Sequence, residues 1–286
     1  MSFMISPQKL IYNNIDINEY LNTFDVILDV AFASDNGAMS SFLNRSAIAS
    51  ESYDGRYKNT YRYKFDELFS PQFTIVKKDF SDFSQSEVRT VLKYLTQTDK
   101  PALLEVSYDK DDEVTTEENR DFCAIGGWTN IETYKIANSR TVGILATFEA
   151  ITPYAMSPLY EVEISEKDNY KKTIKINTDD NQPIYPCITI QQSGTAGDIK
   201  IINQHSYLNK PSTPITTTVK NNGQTEKIML DGTNRIIHSS NTKRIFGDDF
   251  VDWTWLPLYD GDNEITVEGN CDVTFEYRTV IKCGEW

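Results

Sequence analysis

The chain has 286 residues, of which 39% are hydrophobic and 12% aromatic, so it can bury substantial cores and is not compositionally disordered. Its 28 Lys and Arg residues stand against 42 Asp and Glu residues, a formal net charge of −14. This acidic balance argues against a nucleic acid or membrane partner, because both bind through basic residues. The sequence has neither a bilayer-spanning apolar run nor the features of a signal peptide. We therefore expect a soluble chain made in a cytoplasm.

The length suits two domains, and the composition changes near the middle of the chain. Pro153 and Pro158 bracket a segment, Thr152–Pro158, that cannot continue a central strand ladder. We place the boundary there, which gives a first domain over 1–155 and a second over 156–286.

The clearest element of the first domain is a helix predicted near 84–96. Ser84 and Glu87 have the spacing of a capping box, in which each side chain accepts a hydrogen bond from the backbone of the other. Val91 and Leu95 are four residues apart, so they share a face that should pack on a core. The helix is expected to be an accessory to a sheet.

The segments around that helix have strand patterns, and the acidic stretch Asp109–Glu118 is predicted to be a surface loop. The predicted strands of this domain are Phe73–Val76, Ala102–Ser107, Asp121–Ile125 and Val142–Ile151.

The second domain consists of short alternating segments separated by Asn222–Gly223, Asp231–Gly232 and Asp260–Gly261. Asn-Gly and Asp-Gly pairs supply the positive φ of tight hairpin turns, so the pattern predicts successive antiparallel strands in a sandwich or barrel. The predicted strands are Leu159–Ile164, Lys172–Asn177, Cys187–Gln192, Asp198–Asn203, Pro214–Lys220, Glu226–Leu230, Arg235–Ser239, Asp252–Leu256, Glu264–Val267 and Val273–Ile281.

No residue pattern predicts a catalytic site. His205 and His238 are the chain's two histidines, and no Ser or Cys nucleophile lies in a nucleophile-elbow motif. The four cysteines lack CxxC spacing and are expected to be reduced thiols, although Cys271 and Cys283 could face one another across neighbouring strands. We predict no enzyme activity and no cofactor.

Two acidic groups invite a metal hypothesis, one around Asp109–Glu113 and one comprising Asp260, Asp262 and Glu264. The first lacks the Gly and the closing Glu of a calcium-binding EF-hand loop, and the second precedes a strand without further ligands. Both are interpreted as solvated turns, and no metal site is predicted.

Three aromatic residues near the end of the chain are candidate contacts for a saccharide or a partner: Trp253, Trp255 and Tyr259. On a strand, the two tryptophans would lie on one face of the sheet, either as a sugar-stacking platform or as part of the core. A carbohydrate-binding module is therefore one alternative function. A cell-wall glycosidase is another, but sequence does not report the carboxylate separation on which its mechanism depends.

The order of these elements resembles the distal tail protein family of long-tailed bacteriophages and prophages. No single motif is specific to that family, so the likeness depends on the succession of fragments along nearly the whole chain. The fragments include Leu10–Asp16 (LIYNNID), Tyr53–Tyr57 (YDGRY), Pro183–Gln192 (PIYPCITIQQ), Glu226–Asn234 (EKIMLDGTN) and Val273–Arg278 (VTFEYR).

The resemblance implies an all-β protein with one accessory helix, in which a β-rich ring-forming domain precedes a galectin-like or carbohydrate-binding-module-like sandwich. It also implies a homo-hexameric ring at the distal end of the phage tail. The implied partners are the major tail tube protein, the tail-associated or tail-spike protein and, in some members, receptor-binding proteins.

Overall fold

The structure is a computed structural model that describes residues 9–21, 24–29, 45–51, 58–65, 68–107, 121–136, 140–165, 170–194, 197–207, 210–221, 223–243 and 254–282. These residues are mostly β-strand, which confirms the predicted all-β class. They contain two helices, since a short α1 (Ile17–Leu21) accompanies the predicted one. The chain divides into two compact units, one formed by residues 1–158 with 281–286 and the other by residues 159–280.

The first unit is built on a sheet with the strand order β2-β1-β7-β8-β9-β6-β3, to which β10 adds through β8 and β21 through β10. A separate hairpin pairs β4 with β5. The strands are β1 (Lys9–Tyr12), β2 (Ile15–Asp16), β3 (Phe24–Asp29), β4 (Arg45–Glu51), β5 (Lys58–Phe65), β6 (Gln72–Lys77), β7 (Ala102–Ser107), β8 (Phe122–Ile136), β9 (Arg140–Ala150), β10 (Ala155–Met156) and β21 (Val280–Ile281).

Strand β8 is much longer than the predicted Asp121–Ile125. Its pairing with β7 ends at Gly126, whereas its pairing with β9 continues to Ile136 opposite Arg140. The sequence pattern does not predict this extension, because Gly126, Gly127 and the polar residues after them interrupt the alternation of apolar and polar residues. The outer part of the β8–β9 hairpin, residues 133–136 and 140–143, is called the arm below.

Helix α2 (Gln85–Leu95) confirms the predicted helix and its start. The Ser84 N–H donates to the Glu87 carboxylate at 2.6 Å, and the Glu87 N–H donates to Ser84 Oγ at 3.3 Å. Tyr94 joins Val91 and Leu95 on the buried face, and its hydroxyl donates to the Ile15 carbonyl at 3.0 Å. Burial is the main cause that raises the pKa of Tyr94.

The second unit consists of two five-stranded sheets that share one apolar core. One sheet has the order β11-β20-β13-β17-β18, and the other joins β12, β19, β14, β15 and β16. The strands are β11 (Tyr160–Ile164), β12 (Lys171–Ile176), β13 (Cys187–Gln192), β14 (Gly197–Tyr207), β15 (Lys210–Pro211), β16 (Ile215–Asn221), β17 (Lys227–Asp231), β18 (Ile236–Ser239), β19 (Gly261–Glu268) and β20 (Cys271–Tyr277).

The core residues of this sandwich occupy every second position along its strands. In β20, Cys271, Val273, Phe275 and Tyr277 are buried while the residues between them are more exposed. Burial raises the pKa of the Cys271 thiol to about 11. Cys283, its suggested neighbour, lies outside the described residues.

The predicted strand Asp252–Leu256 is wrong over its described part, since Thr254–Leu256 has no strand pairing. The Thr254 carbonyl accepts a hydrogen bond from the Thr217 hydroxyl at 2.6 Å instead of joining a ladder. Pro257 follows and has no N–H to donate.

Candidate functional site

An arginine and two aromatic rings form a cluster at the turn between β17 and β18. The turn is held by Asp231, whose carboxylate accepts from the Asn234 backbone N–H at 2.9 Å and from its Nδ2 at 2.7 Å. These bonds, the side-chain one first, lower the pKa of Asp231. The predicted turn at Asp231–Gly232 is therefore present, with a self-contained hydrogen-bond network.

The turn also packs closely against the backbone of Tyr185 and Pro186. The Gly232 N–H donates to the Pro186 carbonyl at 3.0 Å, and the Thr233 hydroxyl donates to the Tyr185 carbonyl at 3.1 Å. A Cβ on Gly232 would lie 2.6 Å from the Pro186 oxygen, so only glycine fits. Gly232 thus allows a close approach, whereas the positive φ expected of the turn falls on Arg235, at 60°.

The Arg235 side chain compensates for that backbone conformation. Its guanidinium carbon lies 3.9 Å from the centre of the Tyr185 ring and 5.3 Å from that of Trp255. Cation–π contacts at exposed sites contribute about 0.5–1 kcal/mol each, comparable to the cost of a left-handed residue. Arg235 remains exposed, so the cluster presents a positioned cation at the surface.

Trp255 is half-buried within this cluster, with the Arg235 guanidinium beside its ring. A cavity of about 10 Å³ beside it has room for roughly one water molecule. Sites for small-molecule ligands are far larger, at about 300–1,000 Å³. The cavity is lined by Pro186, Ile188, Thr217, Leu230, Gly232, Thr254, Trp255 and Leu256. Trp253 lies outside the described residues, so the suggested tryptophan pair has one described member.

Tyr259 belongs to a different environment, beside His205. The two ring centres are 4.9 Å apart, and His205 Nε2 lies 2.8 Å from the Asp260 carbonyl oxygen. His205 is buried, and its contact with the Asp260 carbonyl helps to hold this segment.

Two buried asparagines fix the segment that carries Tyr259. Asn263 Oδ1 accepts from the Tyr259 N–H at 2.9 Å, and its Nδ2 donates to the Tyr259 carbonyl at 2.7 Å. Asn203 Nδ2 donates to Asn263 Oδ1 at 3.0 Å and to the Pro257 carbonyl at 2.7 Å. Sequence reasoning missed this pair. The available signal was the alternation of β19, which places Asn263 on the same face as the core residue Ile265.

The remaining sequence candidates are not brought together. His238 is exposed on β18. Within the described ranges, no three His, Cys, Asp or Glu side chains are close enough to share a metal ion. Asp260, Asp262 and Glu264 therefore form no such group, and Asp109–Glu113 lies outside those ranges.

Neither described helix has the length and apolar character needed to cross a membrane.

Comparison with solved structures shows the fold. The crystal structure of the Dit protein of phage SPP1, described as a paradigm of hub adsorption apparatus in phages that infect Gram-positive bacteria, matches with a TM-score of 0.58 and 10% identity. The match covers 94% of this chain and 98% of that one. A chain of the phage p2 baseplate in its activated conformation with Ca matches with a TM-score of 0.45 and 11% identity, over 98% and 100%.

No curated protein matches the sequence. Two family models do, and together they cover most of the chain. Residues 10–152 match the phage tail protein N-terminal domain, and residues 154–277 match the phage tail C-terminal domain. The resemblance proposed from sequence is thus confirmed: the chain belongs to the phage tail protein family that these two domains define, and it has the fold of a distal tail protein.

Proposed function

We propose that this protein is the hub component at the distal end of a phage tail, where six copies form a ring that joins the tail tube to the tail tip. The observation that carries the proposal is the likeness to SPP1 Dit over 94% of this chain and 98% of that one. That likeness accounts for both units at once, because it is not confined to one of them. In this role the protein is structural and carries out no reaction.

The first domain, 1–155, is the ring-forming part, and the second, 156–286, is a galectin-like sandwich at the periphery. The major tail tube protein binds one face of the ring and the tail-associated or tail-spike protein binds the other. Receptor-binding proteins attach at the side. With a net charge of −14, a ring of this chain can present an acidic channel, which repels DNA and so prevents it from adhering to the wall.

The structure gives less support to a saccharide-binding module or a glycosidase. Trp255 is half-buried beside Arg235, and the cavity next to it accommodates about one water molecule rather than a sugar ring. Tyr259 packs on His205. A saccharide site would need ring faces that are open to the ligand.

The test is the absolute mass of the purified protein by light scattering, alone and mixed with its tail tube protein. A hexamer would have six times the 32.7 kDa chain mass, about 196 kDa. That mass, with rings visible by electron microscopy, supports the proposal. A chain that stays monomeric both alone and in the mixture would overturn the ring.

A further inference from the structure

The first unit exposes two different apolar patches near the two ends of strand β9. The front patch consists of Phe80, Tyr134 and Ile136, which are 76%, 66% and 48% exposed. The rear patch consists of Leu68 and Ile151, which are 45% and 56% exposed. Large apolar side chains grouped at the surface indicate contact with another protein.

The turn at Phe80 combines a strained backbone with an exposed aromatic ring. Phe80 has a φ of 54°, a conformation that a bulky residue rarely adopts, and its N–H donates to the Lys77 carbonyl at 2.9 Å. Although the backbone is strained, the ring is the most exposed large apolar side chain among the described residues. Strain of this kind is typical of functional positions.

Two contacts fix the Phe80 turn beside the arm. The Phe83 N–H donates to the Thr141 carbonyl at 2.7 Å, and Arg140 Nε lies 3.4 Å from the Asp82 carboxylate. Arg140 is the register partner of Ile136. Phe80 and the exposed residues of the arm are therefore held in one surface region.

The rear patch is fixed in a similar way at the other end of the strand. The Phe69 N–H donates to the Thr152 carbonyl at 3.0 Å, and the Ala150 N–H donates to the Phe69 carbonyl at 2.9 Å. These bonds hold Leu68 next to Ile151. Strand β9 has 11 residues, so the two patches are separated by roughly 33 Å along it.

Charge favours a second copy of the chain as the partner. Copies with a net charge of −14 repel each other in general, but two ion pairs neutralise four of the charges beside the front patch. Lys77 Nζ lies 2.8 Å from the Glu87 carboxylate, and Arg140 pairs with Asp82. In sequence, the basic Lys135 stands between the two arm residues of the front patch, whereas the acidic Asp66 and Glu67 immediately precede Leu68 of the rear patch. Charges of opposite sign therefore accompany the two patches, which favours contact between them.

We propose that the front patch of one copy binds the rear patch of the next, as the interface that closes the ring. This inference rests on the proposed hub function. Because the patches differ, the contact is heterologous, and heterologous contacts that close produce rings. Six copies with a repeat of roughly 33 Å would give a circumference of about 200 Å, enough to enclose a central opening.

Single-cysteine variants test which patch meets which. The variants Phe80→Cys and Ile151→Cys are each oxidised alone and, in a third sample, are first mixed and then oxidised. The wild type and Ile236→Cys are the controls for unrelated disulfides. A cross-linked dimer that forms only in the mixture, with residues 80 and 151 joined by peptide mass mapping, supports the proposal. A dimer of Phe80→Cys alone would mean a self-complementary contact and would overturn it.

The variant Phe80→Gly provides the second measurement, because it removes the ring and relieves the positive φ, and so should fold. We expect the dissociation constant of the ring to rise at least about tenfold, with no effect from Ile236→Thr in the second unit. A ring of unchanged stability and no cross-link would overturn the patch pairing and leave the hub function intact. A wild-type chain that is monomeric alone and with its tube protein would overturn both.

Discussion

The side-chain amides of Asn203 and Asn263 hydrogen-bond to each other at 3.0 Å inside the second unit, where they are 1% and 0% exposed. They connect β14 and β19 to the segment between Pro257 and Gly261. Burying a side-chain amide costs free energy unless the amide forms hydrogen bonds. This pair therefore favours the one conformation of the segment in which these bonds form.

Replacing Asn263 by Ala should therefore destabilise the second unit by about 2–4 kcal/mol, because the part-buried N–H and carbonyl of Tyr259 lose their partners. Urea unfolding measures the change, with the transition of this unit identified by amide exchange. Glu264→Gln, on the exposed face of the same strand, is the control and should change the stability by less than about 0.5 kcal/mol. Equal effects of the two variants would contradict a role for the asparagine pair.

Arg235 is predicted to respond differently to two small replacements. Arg235→Ala loses the contacts with Tyr185 and Trp255 and keeps the positive φ, so it should destabilise by about 1–2 kcal/mol. Arg235→Gly loses the same contacts but relieves the backbone, so its stability should stay within about 1 kcal/mol of the wild type. Denaturant unfolding compares the two. If alanine were no worse than glycine, the strain argument would be wrong.

Alanine substitutions at two adjacent glycines of β8 should have different effects on stability. A Cβ at Gly126 would lie 2.1 Å from the Glu149 carbonyl oxygen, whereas one at Gly127 would meet no atom within 4 Å. We expect Gly126→Ala to destabilise the first unit by about 2 kcal/mol or more, because β8 and β9 must separate. Gly127→Ala should be neutral or slightly stabilising. Thermal unfolding of both variants would reveal whether the spacing of β8 and β9 is as close as described.

The start of α2 should be sensitive to pH. Glu87 accepts from Lys77 and from the Ser84 backbone, and these bonds, that of Lys77 first, lower its pKa below the ordinary 4.5. Because the pKa of Glu87 is lower in the folded state, its stabilising effect is complete when the pH is above the pKa of the unfolded state. The effect is lost as the pH falls through the pKa of the folded state. Glu87→Gln should thus be less stable than the wild type at neutral pH, with a smaller difference in strong acid. Thermal melting at several pH values measures this, and a constant difference would count against the ion pair.

Ser84→Ala tests the other half of the capping box at neutral pH. It removes the acceptor for the Glu87 N–H, and the expected cost is about 1 kcal/mol. Ser70→Ala, an exposed serine outside any helix, is the control. A cost no greater than that of the control would show that the cap contributes little.

Sequence predicted the features that depend on neighbours along the chain. The capping box requires only Ser84 and Glu87, three residues apart, so the start of α2 was correct. The features that it missed depend on distant residues. The Tyr94 hydroxyl bonds to Ile15, and the asparagine pair joins residues 60 positions apart. Nor could the pattern show that Gly232 serves a close approach to Pro186, because that neighbour lies in another part of the fold.

The return of the chain to the first unit has a consequence for synthesis. Strand β21 pairs with β10, and Ile281 packs on the core of the first unit, although it follows the whole of the second unit in sequence. A ribosome therefore completes residues 159–280 before it releases the last strand of the first sheet. The second unit can therefore fold while that sheet is still incomplete, and the first unit gains its final strand only after residues 159–280 have been made.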